Sequence, residues 1–197
     1  DITAGKRVFT PAAGGSGSPY TSFTFQVQDD GGTDNGGVDL DQSANTMTID
    51  VTAAANYQPD GAIRRSGGPR RGNDIYNTDG AGQTFDSGYR RYRAGAVRWL
   101  YVYLQNDGDS PDRLTVAAGA LGPSLMANGY NVRYFTPGLI EITAAVEAGT
   151  FTTALIQPGQ RSAIRVRIEI TAAAAHHPEV SRLLTITSTN DVSKEDA

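Results

Sequence analysis

Apolar and polar residues alternate in two short segments near the start of the chain. Residues 23–30 (FTFQVQDD) and 46–52 (TMTIDVT) each place an apolar side chain at almost every second position, the period of a half-buried β-strand. Gly, Asp and Asn residues typical of a turn follow the first segment. Residues 1–53 contain about three strand-like runs in all, which are too few for the sandwich that they imply.

Strand-like runs separated by turn residues continue from Pro59 to the end of the chain. The turns include Asn128-Gly129 and Gln157-Pro-Gly159. Helical signal is limited to one turn each at 143–148 and 172–177. About seven strands are expected from nine candidate runs: 61–65, 74–76, 82–85, 96–106, 112–117, 130–135, 150–156, 162–171 and 181–188.

The run 96–106 is the strongest strand, and both of its faces are expected to be covered. Its alternation places Trp99 and two tyrosines on one face and two leucines and Val102 on the other. We expect Trp99, the only tryptophan, to lie in the core; the alternative is an exposed adhesive face. The run 162–171 is expected to line the core with Ile164, Val166 and the isoleucines that follow.

Composition supports an all-β protein in two parts. The chain has no cysteine, 23 glycines, and two lysines against fifteen arginines. A change in amino-acid composition at residues 53–59 divides the chain into residues 1–55 and 56–197. No apolar run approaches the ~20 residues of a membrane span, so no membrane insertion is expected. No basic-then-apolar leader opens the chain, and we expect a processed segment.

The first part resembles the C-terminal half of the cadherin-like repeats, related to VCBS repeats, of long bacterial surface and adhesin proteins. The matching segments are 4–11 (AGKRVFTP), 23–32 (FTFQVQDDGG) and 46–52 (TMTIDVT). The front half of that repeat is absent. We therefore expect either a longer precursor or missing strands that come from another copy.

The second part resembles the bacterial Ig-like modules of the CARDB (cell adhesion related) type. The matching segments are 102–108 (VYLQNDG), 132–135 (VRYF), 155–159 (LIQPG) and 184–189 (LTITST). Together, the two resemblances imply an Ig-like β-sandwich preceded by a partial cadherin-like segment, on an extracellular or cell-surface protein. Modules of this kind act as spacers or adhesive units.

Five aspartates in a glycine-rich loop suggest a calcium site. Carboxylate oxygens on a flexible loop suit Ca²⁺, although the spacing matches no EF-hand. Cadherin-like repeats often bind calcium between modules, but residues 53–59 replace their usual acidic linker. A solvated hairpin loop is the alternative. The candidate ligands are Asp29, Asp30, Asp34, Asp39 and Asp41.

Eight arginines lie between residues 64 and 98, with three tyrosines among them. Arginine beside aromatic residues can hold single-stranded nucleic acid, but a sequence pI of about 5.1 argues against that partner. Residues 1–55 carry a net charge of −5, so a charge-matched contact between subunits is favoured. The predicted assembly residues are Phe23, Phe25, Val27, Arg64, Arg65, Arg70, Arg71, Arg90 and Arg91.

No catalytic arrangement is recognisable in the sequence. The only histidines, His176 and His177, are adjacent and precede Pro178, and no glycine-rich phosphate motif joins a strand to a helix. We therefore predict a structural protein and not an enzyme. It would be a homopolymer subunit joined head to tail by β-strand contacts, with neighbouring modules of one precursor as the other candidate partners. The alternative function is a spacer or adhesive module of a large adhesin, stiffened by calcium.

Overall fold

The computed structural model describes residues 8–86, 94–119, 129–171 and 181–197. The chain divides into two compact units, unit 1 (residues 1–54) and unit 2 (residues 55–197). Within the described ranges the secondary structure is ten β-strands, one short α-helix and one 3-10 turn. The protein is therefore all-β, as the sequence predicts.

Unit 1 contains an antiparallel hairpin of β1 (Gly17–Phe25) and β2 (Asn45–Val51). The predicted strand at 23–30 is wrong in its bounds, because β1 begins earlier and regular pairing stops at Phe25. Beyond that point Gln28 forms only an isolated bridge with Leu40. The connection between the strands also contains the 3-10 turn Asp34–Gly36.

Neither strand of the hairpin is half-buried, contrary to the sequence prediction. No residue from 8 to 54 is buried within the chain. Among the described residues, β1 and β2 form a sheet of two strands that no other strand extends. The alternation of apolar and polar residues thus correctly indicated strands, but not their burial.

Unit 2 contains the other eight strands and the helix. All of its strand pairs are antiparallel. The elements are β3 (Pro59–Arg65), β4 (Val97–Asn106), β5 (Leu114–Ala117), β6 (Tyr130–Phe135), α1 (Thr143–Glu147), β7 (Phe151–Thr152), β8 (Arg161–Ile170), β9 (Thr185–Ser188) and β10 (Glu195–Asp196).

Two four-stranded sheets enclose one apolar core in unit 2. Their strand orders are β3-β4-β8-β6 and β10-β9-β5-β7. Leu104 and Ile164 of the first sheet and Leu114 and Ile186 of the second belong to one cluster of buried side chains, which Val146 of α1 also joins. The layers thus pack in a sandwich-like manner, and alternation places one face of β4, β5, β6, β8 and β9 in this core.

The expectation of about seven strands among nine candidate runs is met: seven of the runs overlap a strand, and residues 74–76 and 82–85 lie in a turn-rich connection between β3 and β4. One other sequence expectation for unit 2 is wrong. Trp99 is not in the core: it lies half-buried on the outer face of β4, with its ring 5.3 Å from that of Phe135 in an edge-to-face contact. The one-turn helix at 143–148 is confirmed by α1, whereas 172–177 lies outside the described residues.

Candidate assembly interface

The hairpin of unit 1 has one apolar and one polar face. Residues paired across an antiparallel sheet share a face, and Phe23 pairs with Met47 while Thr21 pairs with Ile49. Four residues of this face, Phe23, Phe25, Met47 and Ile49, form the apolar hairpin face; Thr21 and Asn45 lie on the same side of the sheet. The opposite face carries hydroxyl groups, on Ser22, Thr24, Thr46 and Thr48.

The apolar hairpin face is open to solvent within this chain. Phe23 is 42% exposed, Phe25 38% and Met47 44%, and the rings of Phe23 and Phe25 lie 6.3 Å apart. Val27, also predicted for the interface, follows β1 and is 57% exposed. The three predicted apolar residues thus lie close together on an uncovered surface.

The acidic loop, residues 29–41, is stabilised by hydrogen bonds within itself and to nearby amides. Asp29 accepts a hydrogen bond from the Gly31 N–H at 2.9 Å, and Asp39 accepts one from Gln28 Nε2 at 3.2 Å. Asp41 accepts hydrogen bonds from Ser43 and Asn45, which lower the pKa of its carboxyl. These bonds are typical of Asx turns.

Calcium binding by Asp29, Asp30, Asp34, Asp39 and Asp41 stays a prediction. Over residues 8–86, 94–119, 129–171 and 181–197, no three Asp, Glu, His or Cys residues form a group that could hold a metal ion. The hydrogen bonds of Asp29, Asp39 and Asp41 give these carboxylates a structural role in the loop.

In unit 2, the outer face of the β3-β4-β8-β6 sheet carries arginines stacked on tyrosines. The guanidinium carbon of Arg64 lies 5.2 Å from the ring centroid of Tyr103 and 6.0 Å from that of Tyr101. Arg165 lies 5.5 Å from Tyr101, and both Arg70 and Arg161 lie over Tyr103. We call this set, Arg64, Arg70, Arg161, Arg165, Tyr101 and Tyr103, the arginine–tyrosine face.

Strand register explains how the arginine–tyrosine face forms. Tyr101 of β4 lies between Arg64 of β3 and Arg165 of β8 in the same row of the sheet. Alternation gives these residues a common side, opposite to the buried side that Leu100 and Val102 occupy. Distant parts of the sequence thus contribute to one cationic surface.

The ion pairs on this side of the sheet involve arginines that do not belong to the arginine–tyrosine face. Arg167 pairs with Glu169 at 2.6 Å and Arg133 with Glu141 at 3.6 Å. The Arg167 hydrogen bond lowers the pKa of Glu169. Within the described ranges, none of the four arginines of the arginine–tyrosine face forms an ion pair with a carboxylate. That surface therefore keeps a local positive charge.

Of the other predicted arginines, Arg65 and Arg71 do not belong to the arginine–tyrosine face. Arg65 and Arg71 line a pocket of about 540 Å³ together with Pro69 and Phe85. The backbone of Arg71 pairs with that of Ile63, which places this arginine beside the end of β3. Arg90 and Arg91 lie outside the described residues, as do His176 and His177.

Sequence reasoning missed four members of the arginine–tyrosine face: Tyr101, Tyr103, Arg161 and Arg165. The available signal was the alternation of β4 and β8, which places both tyrosines and Arg165 on the noncore side of their strands. The sequence prediction instead selected arginines between residues 64 and 98, because they lie close together along the chain.

A buried carboxyl, Asp60, was also missed. Asp60 is fully buried, and its Oδ1 accepts a hydrogen bond from the Asp74 N–H at 3.1 Å. Burial, and then the negative charges of Asp107 and Asp196, raise its pKa to about 7. Asp196 is buried too, but its carboxylate is satisfied by Gly61 N–H, Asn77 N–H and Gln83 Nε2.

No family model, curated protein sequence or solved structure matches this chain. Within the described ranges, the structure also contains no helix with both the length and the apolar character needed to cross a membrane.

Proposed function

We propose that this protein is a structural subunit of an extracellular or cell-surface filament or matrix, joined to other copies by β-strand contacts of residues 1–53. The observation that supports it is unit 1, a two-stranded sheet with an apolar face and no buried residue from 8 to 54. An isolated two-stranded hairpin is marginally stable in water. A further β-segment or layer is therefore needed to stabilise it.

The gain from covering the apolar hairpin face is substantial for so small an element. Complete burial of one phenylalanine or methionine side chain contributes roughly 1.5–3 kcal/mol. Phe23, Phe25 and Met47 each retain about two fifths of their exposure, so covering all three recovers several kcal/mol. The free energy available favours association through this face.

Strand addition would satisfy the unpaired backbone groups at one edge of the hairpin and widen its sheet. Among the described residues β1 pairs with β2 alone, so each strand has a free edge with unpaired N–H and C=O groups. An added strand would bond to one of these edges and extend the apolar face. Because a head-to-tail contact need not close into a ring, repeated addition generates an open filament.

Catalysis, nucleic-acid binding and membrane insertion are not part of this proposed function. The partners are further copies of this chain, or neighbouring modules of the same precursor. Ca²⁺ bound by the acidic loop would stiffen the hairpin, because it would neutralise carboxylates that otherwise repel each other.

Substitutions on the apolar hairpin face test the proposal. Replacing both Phe23 and Phe25 with Gln keeps the strands but removes the apolar surface, so we expect self-association to weaken by at least about a hundredfold, from an estimated loss of ~3 kcal/mol. Sedimentation velocity over a concentration series measures this. The matched control is Leu183→Gln in unit 2, where the apolar side chain is 45% exposed. Equal association of the double variant and the native chain would contradict the proposal.

A further inference from the structure

On the basis of the function proposed above, we propose that the arginine–tyrosine face of unit 2 binds the acidic loop of unit 1 from a second copy of this chain. The contact would join unlike surfaces of the two copies. It would therefore give the assembly a direction, which the apolar hairpin face alone does not supply.

The arginines of this face have hydrogen-bond donors available for an anionic partner. A cation–π contact is made with the face of the tyrosine ring and engages no hydrogen-bond acceptor of the protein, so it leaves the guanidinium N–H donors unused. Carboxylates match this donor geometry with paired hydrogen bonds.

The ring contacts also fix the arginines in place before a partner binds. Tyr103 contacts Arg64, Arg70 and Arg161, while Tyr101 contacts Arg64 and Arg165. A long side chain that is already immobilised loses less entropy on binding. The face is thus preorganised for a carboxylate-bearing surface.

The acidic loop has the matching charge. Residues 8–54 contain six aspartates and no lysine or arginine, and five of these aspartates lie between residues 29 and 41. Asp30 and Asp34 are exposed. The loop follows β1 directly, so a strand contact through the hairpin would carry these carboxylates to the neighbouring copy.

A compact acidic loop suits this surface better than a long polyanion does. Residues 56–197 carry fifteen basic against fourteen acidic side chains, so unit 2 has almost no overall positive charge. A long polyanion needs an extended basic stripe. The positive potential here is confined to one part of a sheet face, which matches the dimensions of a loop.

Neutralising each side separately, and then mixing the variants, tests the inference. The loop variant carries Asp30→Asn and Asp34→Asn, and the face variant carries Arg161→Gln and Arg165→Gln. We expect each variant alone to associate at least about tenfold more weakly than the native chain. At concentrations where neither variant associates alone, the mixture should form a one-to-one complex, because it retains one intact loop and one intact face. Sedimentation velocity measures the species.

Controls separate folding and general charge effects from the contact itself. Lys194→Gln removes a positive charge from the β9–β10 connection and should associate like the native chain. Thermal melts by circular dichroism identify any variant that fails to fold, in which case the single substitutions Asp34→Asn and Arg161→Gln replace the doubles. Native association should also weaken as salt rises from about 0.05 M to about 0.5 M.

Three results would overturn the inference. Native-like association of both neutralised variants would show that this contact does not join copies; the proposed function would stand if Phe23→Gln and Phe25→Gln still reduced assembly. A mixture that stays monomeric would show that the loop does not reach a second copy. If the face variant associates like the native chain but no longer binds dextran sulfate, the arginine–tyrosine face binds an external polyanion and not a second copy.

Discussion

Asp60 shows most directly how a single residue couples this fold to pH. Its Oδ1 accepts a hydrogen bond from the Asp74 N–H, while its Oδ2 is buried without a hydrogen-bond partner in the described structure. Burial and neighbouring negative charge disfavour ionisation, so the pKa of Asp60 rises to about 7 in the folded chain. The unfolded chain ionises the same group near pH 4.

Asp60→Asn should therefore stabilise the protein at about pH 7.5 and have little effect at about pH 4. Between these pH values the native chain holds a proton that the unfolded chain has lost, so its stability falls as pH rises. The difference amounts to at most about 4 kcal/mol. Asparagine retains an acceptor for the Asp74 N–H and carries no charge. Urea unfolding at both pH values measures it; a variant that is equally destabilised at both would show that Asp60 is ionised in the folded protein.

Residue burial was predictable only where one face of a strand is strongly apolar. Ile164 and Val166 are buried as expected, because arginines occupy the alternate positions of β8. Trp99 was assigned to the wrong side because both faces of β4 carry large side chains. Periodicity separates two faces, but it does not say which one meets the second sheet; the arginines of β3 and β8 decide that here.

At the scale of elements, the turn after β4 ties two distant segments together. Asp109 accepts a hydrogen bond from the Asn56 N–H at 2.8 Å, and Asp107 N–H donates to the Gln58 carbonyl at 2.7 Å. A Cβ on Gly108 would lie 2.3 Å from the Asn56 carbonyl oxygen. This close approach of two backbone segments requires glycine.

Gly108→Ala should destabilise unit 2 by about 1–3 kcal/mol, because the added methyl group must displace backbone atoms. The melting temperature should fall by several degrees, about 2–4 °C for each kcal/mol. Gly138→Ala is the control, since a Cβ there meets only Thr136 Oγ1, at 3.9 Å. Differential scanning calorimetry measures both. Equal melting temperatures for the two variants would show that the turn adjusts without strain.

Strands with long runs of alternation were predictable, and short or loop-bound ones were not. The observed β4, β6 and β8 lie close to their predicted ranges. By contrast, 74–76 and 82–85 have β-type residues but no strand partners, and β10 is a two-residue strand at a sheet edge. Sequence composition cannot identify a strand whose formation depends on a partner far along the chain.

For the whole molecule, the proposed function rests on the difference in burial between the two units. Unit 2 buries an apolar core between two sheets, whereas unit 1 buries no residue from 8 to 54. The two surfaces that we assign to assembly differ in character: the one on unit 1 is apolar, and the one on unit 2 is cationic. The sequence predicted part of each set, two phenylalanines of the apolar face and two arginines of the cationic face, but only the strand register shows which residues share a face.

Sedimentation velocity of the full chain, compared with a chain that lacks residues 1–54, tests whether residues 1–54 join the copies. We predict that the full chain forms particles that grow with concentration and are elongated in negative-stain micrographs. The shortened chain should remain a folded monomer, because it has lost both the apolar hairpin face and the acidic loop. Assembly of the shortened chain to the same size as the full chain would contradict the account.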